Sequence, residues 1–392
     1  MLQYTPKIAE QVERAVKHLH ESPEPSLEEY ETTAYIRKQM DDLGIEEVDL
    51  GLKVGYVGIL RGGEPGPLIG LRAELDGIRQ RENPEHRVCS KREGLMHACG
   101  HDIHMGALLG AAMMLAGMRQ ELRGSVAFIF QPGEETLQGA RLLAEAGLFQ
   151  KLRMDAMFGL HNQPAIPLGL CGIRQGELMS AKDDFRVTVK GVGGHSGVPH
   201  RTIDPIVAAA AMVNALQTIV SRNVDPLESA VVSVCSIHAG TADNLVVSEA
   251  VMTGSIRTLS PEIREIVLER FGTIVSSMAT AYGCTAEISL QEVVPMVVNG
   301  REMTALAREA AALALGEENM VPAKRTLCSE DFAVYAQYTD TFFYFLGSGT
   351  AEGPNPPWHD GDFRADSRAA AYGARLLAES ALTAMRRLAA QR

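Results

Sequence analysis

The sequence is poor in aromatic residues, short of positive charge and free of long apolar runs, and each deficit removes a class of protein. Aromatic residues make up 5% of the chain while glycine and alanine are plentiful, which suits an α/β enzyme better than an all-β sandwich. Lys and Arg number 37 against 49 Asp and Glu, a formal charge of −12. No basic cluster occurs, and neutralising phosphates requires one, so a nucleic-acid surface is excluded. The stretch MLQYTPKIAEQVERAVKHLHE has no apolar segment of signal-peptide length, and no window approaches a membrane span. The six cysteines, at 89, 99, 171, 235, 284 and 328, lack the close spacing of a disulfide framework and read as reduced thiols of a cytoplasmic protein. Internal repeats, low-complexity segments and Pro-rich linkers are also missing.

What is present is 392 residues, 46% of them hydrophobic, more than one ordinary core accommodates; two domains are expected. The first 40 residues predict two helices, with Ile8, Val12 and Val16 on the first and Tyr35 and Ile36 on the second. Short apolar runs, Leu68 to Leu71, Ser125 to Phe130 and Met154 to Leu160, predict buried strands, with a small-residue helix over Met105 to Met118. This alternation predicts an α/β domain, a mostly parallel sheet with helices on both faces.

The pattern changes near Ala181. Phe185 to Lys190 alternates as a half-exposed strand does. A helix follows with Asp204 as N-cap and Pro205 in its first turn, then strands Ala230 to His238 and Glu249 to Thr258. A second helix runs from the Ser260-Pro261-Glu262 cap to Gly283, and a strand over Thr285 to Gln291 closes the unit. The order β-α-β-β-α-β is ferredoxin-like. The expected architecture is therefore a domain of residues 1–181 and 297–392 interrupted by an inserted α+β domain of residues 182–296, with a last Ala-rich helix from Asp366.

Four patches carry chemistry. Met96-His97-Ala98-Cys99-Gly100-His101-Asp102-Ile103-His104 offers thiolate and imidazole, ligands that zinc and its neighbours accept, and a Cys-x-His pair on an extended turn can aim both side chains at one centre. Gln131-Pro132-Gly133-Glu134-Glu135 follows a strand, where adjacent carboxylates can divide labour between metal and proton. Gly159-Leu160-His161-Asn162 places a His at the end of another strand, where open α/β sheets build their sites. Trp358-His359-Asp360 lies in a Pro- and Gly-rich loop. Singly, each has a bland reading as a solvated turn or a hydrogen-bonded His. Together they point to a metal site.

Further signatures join them: Leu71-Arg72-Ala73-Glu74-Leu75-Asp76, Gly193-Gly194-His195-Ser196, Arg201-Thr202-Ile203-Asp204-Pro205, His238-Ala239-Gly240-Thr241-Ala242-Asp243-Asn244 and Ser329-Glu330-Asp331-Phe332. In this order the chain resembles, from about residue 8 to residue 385, the aminoacylase, hippurate hydrolase and indole-acetyl-amino-acid hydrolase branch of the co-catalytic metallopeptidases. The resemblance implies hydrolysis of the amide bond of an N-acyl amino acid. It also implies that Cys99, His101, Glu135, His161 and His359 hold two divalent metal ions, zinc or manganese, with cobalt and nickel also able to serve. Glu134 would be the general base and acid, and Asp76 would orient a metal His. Asn244 and Arg257 would bind the substrate α-carboxylate, for which a guanidinium fork is suited. The inserted domain would be a dimerisation or lid domain, pairing two copies so that His195 stabilises the oxyanion in the partner's site. A dipeptidase or carboxypeptidase of the same fold is the alternative; a non-catalytic binding protein is a remoter one. The chain departs from the family pattern at Glu74, where Asp is commoner, at Gly133, where Ala is usual, and after Asp76, where Leu-Pro is missing.

Overall fold

Local sequence explains where the first elements begin. In the computed structural model, which describes residues 2–351 and 355–390, Thr5 accepts from the Ile8 amide and Pro6 opens helix α1, Pro6–Glu21, as a capped, Pro-initiated helix should. Its Val12, Ala15, Val16 and Leu19 recur at three- and four-residue intervals and are buried. Next along the chain come α2 (Tyr30–Asp42), β1 (Glu46–Glu47), β2 (Tyr56–Arg61), β3 (Glu64–Glu74), α3 (His101–Ala116) and β4 (Arg123–Gln131). Then follow α4 (Gly139–Glu145), α5 (Leu148–Lys151), β5 (Ala156–Pro167), β6 (Cys171–Ile173), β7 (Gly176–Met179), β8 (Ala181–Lys190) and β9 (Gly194–His195). The middle of the chain supplies α6 (Pro205–Asn223), β10 (Ala230–His238), β11 (Leu245–Val246), β12 (Glu249–Thr258), α7 (Pro261–Ala281) and β13 (Thr285–Val294). It ends with β14 (Val297–Asn299), α8 (Arg301–Leu315), β15 (Met320–Pro322), β16 (Asp340–Gly349) and α9 (Ala369–Ala389).

The chain divides into two compact units, Met1–Gly176 with Val298–Lys324 and Asp331–Arg392, and Glu177–Val297 with Arg325–Glu330. The segment Arg325–Glu330, expected in the first domain, joins the second unit because its backbone is claimed there. Thr326 N–H donates to Leu178 O, Ser180 N–H to Cys328 O, and Arg257 Nη1 to Leu327 O.

The first unit is built on an eight-stranded sheet in the order β1-β2-β4-β3-β5-β16-β6-β15. Its centre, β4-β3-β5-β16, is parallel throughout. One face, with Leu71, Phe128, Phe158 and Tyr344, packs with residues of α1, α3, α8 and α9 in a single apolar cluster. The other face, with Arg72 and Phe343, meets Phe332 of the 3₁₀ segment Asp331–Gln337. The α/β expectation, helical cover on both faces of a mostly parallel sheet, holds. Because β3, β4 and β5 run the same way, the residues that follow them emerge together at the carboxyl edge of the sheet.

The second unit is the ferredoxin-like module. Its sheet order β10-β12-β8-β13 is antiparallel throughout. On β8 buried residues alternate, and Phe185, Val187 and Val189 pack with Met212 and Leu216 of α6 and Val267 and Phe271 of α7.

Three expectations need correction. Helix α3 starts at His101 rather than Met105, because Gly100, at φ +81°, caps it; the Cys-x-His pair therefore straddles a helix start, not an extended turn. His161 lies inside β5 rather than at its end, because the strand continues beside β16, with Phe345 opposite His161. A stretch of span length does occur: α6 is long and apolar enough to cross a membrane by length and composition alone. Its Ala208, Ala209, Met212, Leu216 and Ile219 instead fill the core of the second unit.

Candidate active site

Asp76, just beyond β3, organises the carboxyl edge. Its Oδ1 accepts from the Glu134 amide at 3.1 Å, and its Oδ2 from the Glu135 amide at 2.9 Å and Ser26 Oγ at 2.6 Å. His101 Nδ1–H donates to the Asp76 carbonyl at 2.8 Å. Burial opposes ionisation of Asp76, but the hydrogen bonds from His101, Ser26 and Glu135 outweigh it and hold the carboxyl below its ordinary range. A second buried carboxyl group extends the grip: Glu29 Oε1 accepts from the Gly133 amide at 2.7 Å. Three consecutive amides of the turn after β4 are thus held by Glu29 and Asp76. Gly133 takes φ +66° in that turn, where an alanine would be strained.

The expected donors of the first unit converge. Cys99 Sγ lies 3.3 Å from His161 Nε2, and His359 Nε2 lies 3.2 Å from Glu135 Oε2. His101 Nε2 is 3.8 Å from Glu134 Oε2 and 3.9 Å from Glu135 Oε1. Donor atoms fall into overlapping groups within 4.8 Å, Cys99-His101-His161, Cys99-Glu135-His359 and His101-Glu134-Glu135. Cys99 is common to the first two, and Glu135 to the last two.

These residues fit divalent metal ions. Among the described residues Glu135 Oε1 is buried without a hydrogen-bond partner, and its 3.9 Å separation from His101 Nε2 is too long for a hydrogen bond but short enough for both atoms to reach one ion at about 2 Å each. Both buried imidazoles carry the right tautomer. His101 and His161 donate from Nδ1, to Asp76 O and Asn162 O, which leaves each Nε2 lone pair facing the cluster. Burial, with the neighbouring His101, holds His161 at about 3, so it is neutral and able to ligate. His359 takes φ +67°, and the bond to Glu135 raises its pKa.

The flanking histidines separate from the donors. His104 donates from Nδ1 to Glu74 Oε2 at 2.7 Å, and its Nε2 accepts from the Asn162 amide at 2.8 Å, so both ring nitrogens are engaged. Glu74 also pairs with the buried Arg72, which reaches Asp331 at 2.8 Å. The glutamate that departs from the family pattern is therefore the centre of a buried Arg72-Glu74-His104 chain. The His97 ring is buried and makes no hydrogen bond among the described residues, and burial lowers it to about 4. Sequence reasoning missed His20. Burial disfavours its charge, yet bonds to Asp102 at 3.0 Å and Glu82 at 3.1 Å raise it to about 10, a partly buried cation that ties α1 to the first turn of α3. Ser26 and Glu29 were missed as well; neither sits in a recognisable motif, and only their contacts reveal them.

In the second unit, β9 pairs with β11 so that His195 stands opposite Leu245, and the Ser196 amide donates to Asn244 O at 3.0 Å. This brings His195 and Asn244 to one pair of short strands. His195 is exposed, and its Nδ1 accepts from the Gly197 amide at 3.0 Å, so the neutral ring carries its proton on Nε2. Arg257 lies on β12. It donates from Nη1 to Leu327 O and to Ser329 Oγ, both at 3.0 Å.

The model of peptidase family M20/M25/M40 matches residues 70–382. The chain belongs to this family. It is 40% identical over 368 residues to an N-acetylcysteine deacetylase of Bacillus subtilis, covering 93% of this chain and 94% of that one. It is 36% identical over 363 residues to thermostable carboxypeptidase 2 of Saccharolobus solfataricus, covering 91% of each. The crystal structure of a dinuclear metal-binding M20 peptidase from Bacillus subtilis superposes with a TM-score of 0.85 at 34% identity, over 98% of this chain and 99% of that one. The M20 chain is a metal-dependent hydrolase of the amidohydrolase branch, and its donor cluster is built for divalent ions.

Proposed function

We propose that this M20 hydrolase cleaves the amide bond of N-acyl amino acids, releasing a carboxylic acid and a free amino acid. The observation that carries the reading is the Glu134-Glu135 pair. Both sit on one turn pinned by Asp76, with Glu135 between His101 and His359 and the buried Glu134 beside the donors. Cys99, His101, Glu135, His161 and His359 hold two divalent ions, zinc or manganese, with cobalt and nickel as possible substitutes. When bound, the ions supply Lewis acidity to the amide carbonyl and acidify water. Glu134 takes the proton of the attacking water and returns it to the departing amine. Asp76 keeps its neighbour Glu135 oriented while Glu134 cycles.

The substrate α-carboxylate binds Asn244 and Arg257, and the bonds of Arg257 to Leu327 O and Ser329 Oγ support this by fixing the guanidinium. His195 stabilises the oxyanion from its Nε2–H in the site of a second copy. The exposed Ile206 and Val207 of α6 and Ile237 on the edge strand β10 support a homodimer through the inserted unit. Among the described residues the six cysteines form no disulfide, which supports a reducing, cytoplasmic setting. The carboxypeptidase relative favours a second reading, in which the same residues receive a peptide C-terminus. Metal-loaded protein assayed against N-acyl amino acids and C-terminally free peptides separates the two. Turnover of peptides alone overturns the first reading. Parent-like activity in Glu134→Gln removes the assigned base.

A further inference from the structure

The donors reach the cluster from five stretches of chain: the turn before α3, the first residue of α3, the turn after β4, β5 and the loop before α9. One buried residue that donates nothing to the cluster touches three of these directly. The Asn162 carbonyl accepts from His161 Nδ1 at 2.7 Å and from Trp358 Nε1 at 3.2 Å, beside His359. Its amide N–H donates to His104 Nε2 at 2.8 Å, and His104 lies on α3, one turn beyond His101. Its side-chain Nδ2 donates to the Cys99 carbonyl and lies 3.0 Å from His104 Nε2. Its Oδ1 accepts from Ser348 Oγ at 3.0 Å. Asn162 and Ser348 are both fully buried.

Two independent features fit this arrangement. His104 can accept at Nε2 only because its proton sits on Nδ1, where Glu74 receives it at 2.7 Å. Between Cys99 and His101, a Cβ on residue 100 would lie 2.3 Å from Asn162 Nδ2, so glycine is what lets the amide reach the Cys99 carbonyl.

Resting on the ligand set proposed above, we propose that Asn162 is the positioning residue of the metal centre. It sets the Cys99 thiolate and the His161 imidazole relative to each other, and it anchors the loop that carries His359. Its side-chain donor is essential to this role. Asn162→Asp keeps the acceptor toward Ser348 but sets an acceptor against the Cys99 carbonyl, which needs a donor, and beside His104 Nε2, whose lone pair already receives the Asn162 backbone N–H. Partners of this kind typically contribute about 10–100-fold in metal affinity.

The test uses cobalt-loaded full-length protein, read by chelator competition and by the thiolate-to-cobalt charge-transfer band. The parent binds cobalt and shows the band; a parent without it refutes the ligand set rather than this inference. Asn162→Asp is expected to lose about 10–100-fold in affinity and to shift or weaken the band. If Asn162→Asp does not fold, Ser348→Ala reads the same link from its far end, since Ser348 reaches the donors through Asn162 Oδ1. It is expected to lose several-fold in affinity with a smaller change in the band. Parent-like affinity and an unchanged band in either folded variant overturn the proposal, because a side chain serving only the fold would leave both where they were.

Discussion

Removing the titratable proton of Glu29 should change how stability depends on pH, and the structure gives the sign and size. The Glu29 carboxyl is buried; Oε1 accepts from the Gly133 amide, while Oε2 has no hydrogen-bond partner among the described residues. Burial, and then the nearby charge of Asp76, raise its pKa from 4.5 to about 8. The folded protein therefore keeps this proton up to about pH 8, whereas the unfolded chain gives it up above about 4.5. Its contribution to stability is fully present below 4.5, is lost as the pH rises toward 8, and is flat beyond. That interval corresponds to a change on the order of 3–5 kcal/mol. Glu29→Gln carries no such proton and can still accept from Gly133. Urea unfolding followed by circular dichroism from pH 5 to 8.5 should show the variant gaining on the parent by that order as the pH rises. Parallel stability curves, or a variant that falls faster than the parent, would refute the reasoning.

The other expectations concern the site. Arg257→Ala should raise KM for N-acyl amino acids about 10–100-fold, the worth of a charge-assisted hydrogen bond, and leave the corresponding amides nearly unchanged; equal losses would make Arg257 structural. Gly100→Ala should lose about 1–3 kcal/mol of folding stability from its left-handed backbone alone, and more from the 2.3 Å approach to Asn162 Nδ2; an unchanged thermal midpoint would contradict this. Mixing inactive Glu134→Gln with inactive His195→Ala under subunit exchange should restore about a quarter of the parent activity, since half the dimers are mixed and each has one complete site. No recovery despite proven exchange would place His195 within its own chain or outside the reaction.

Much of the architecture is written locally. The Thr5, Asp204 and Ser260 caps, the alternation along β8 and the apolar runs of β4 and β5 each depend on a few neighbouring residues. Element order therefore followed from reading the chain. The candidate donors were legible too, because thiolate, imidazole and paired carboxylate are rare side chains concentrated in short motifs. Starts and ends of elements were less legible. The start of α3 at His101 depends on a left-handed Gly100, and the continuation of β5 past His161 depends on its pairing with β16, a strand almost two hundred residues away in sequence.

What only the tertiary structure decided was which polar residues hold the donors in place. Glu29, Asp76 and Asn162 act through hydrogen bonds to backbone groups distant in sequence, with Ser26 bracing the Asp76 carboxylate, and a backbone amide or carbonyl leaves no trace in residue identity. The same holds for Glu74. As a letter it is a departure from a pattern, and as a side chain it fixes the tautomer of His104, whose acceptor Asn162 needs. Sequence alone determined the chemistry on offer, because side-chain identity sets which atoms can ligate or carry a proton. Tertiary structure decided their orientation, because that is set by buried hydrogen bonds whose partners meet only when the parallel strands align.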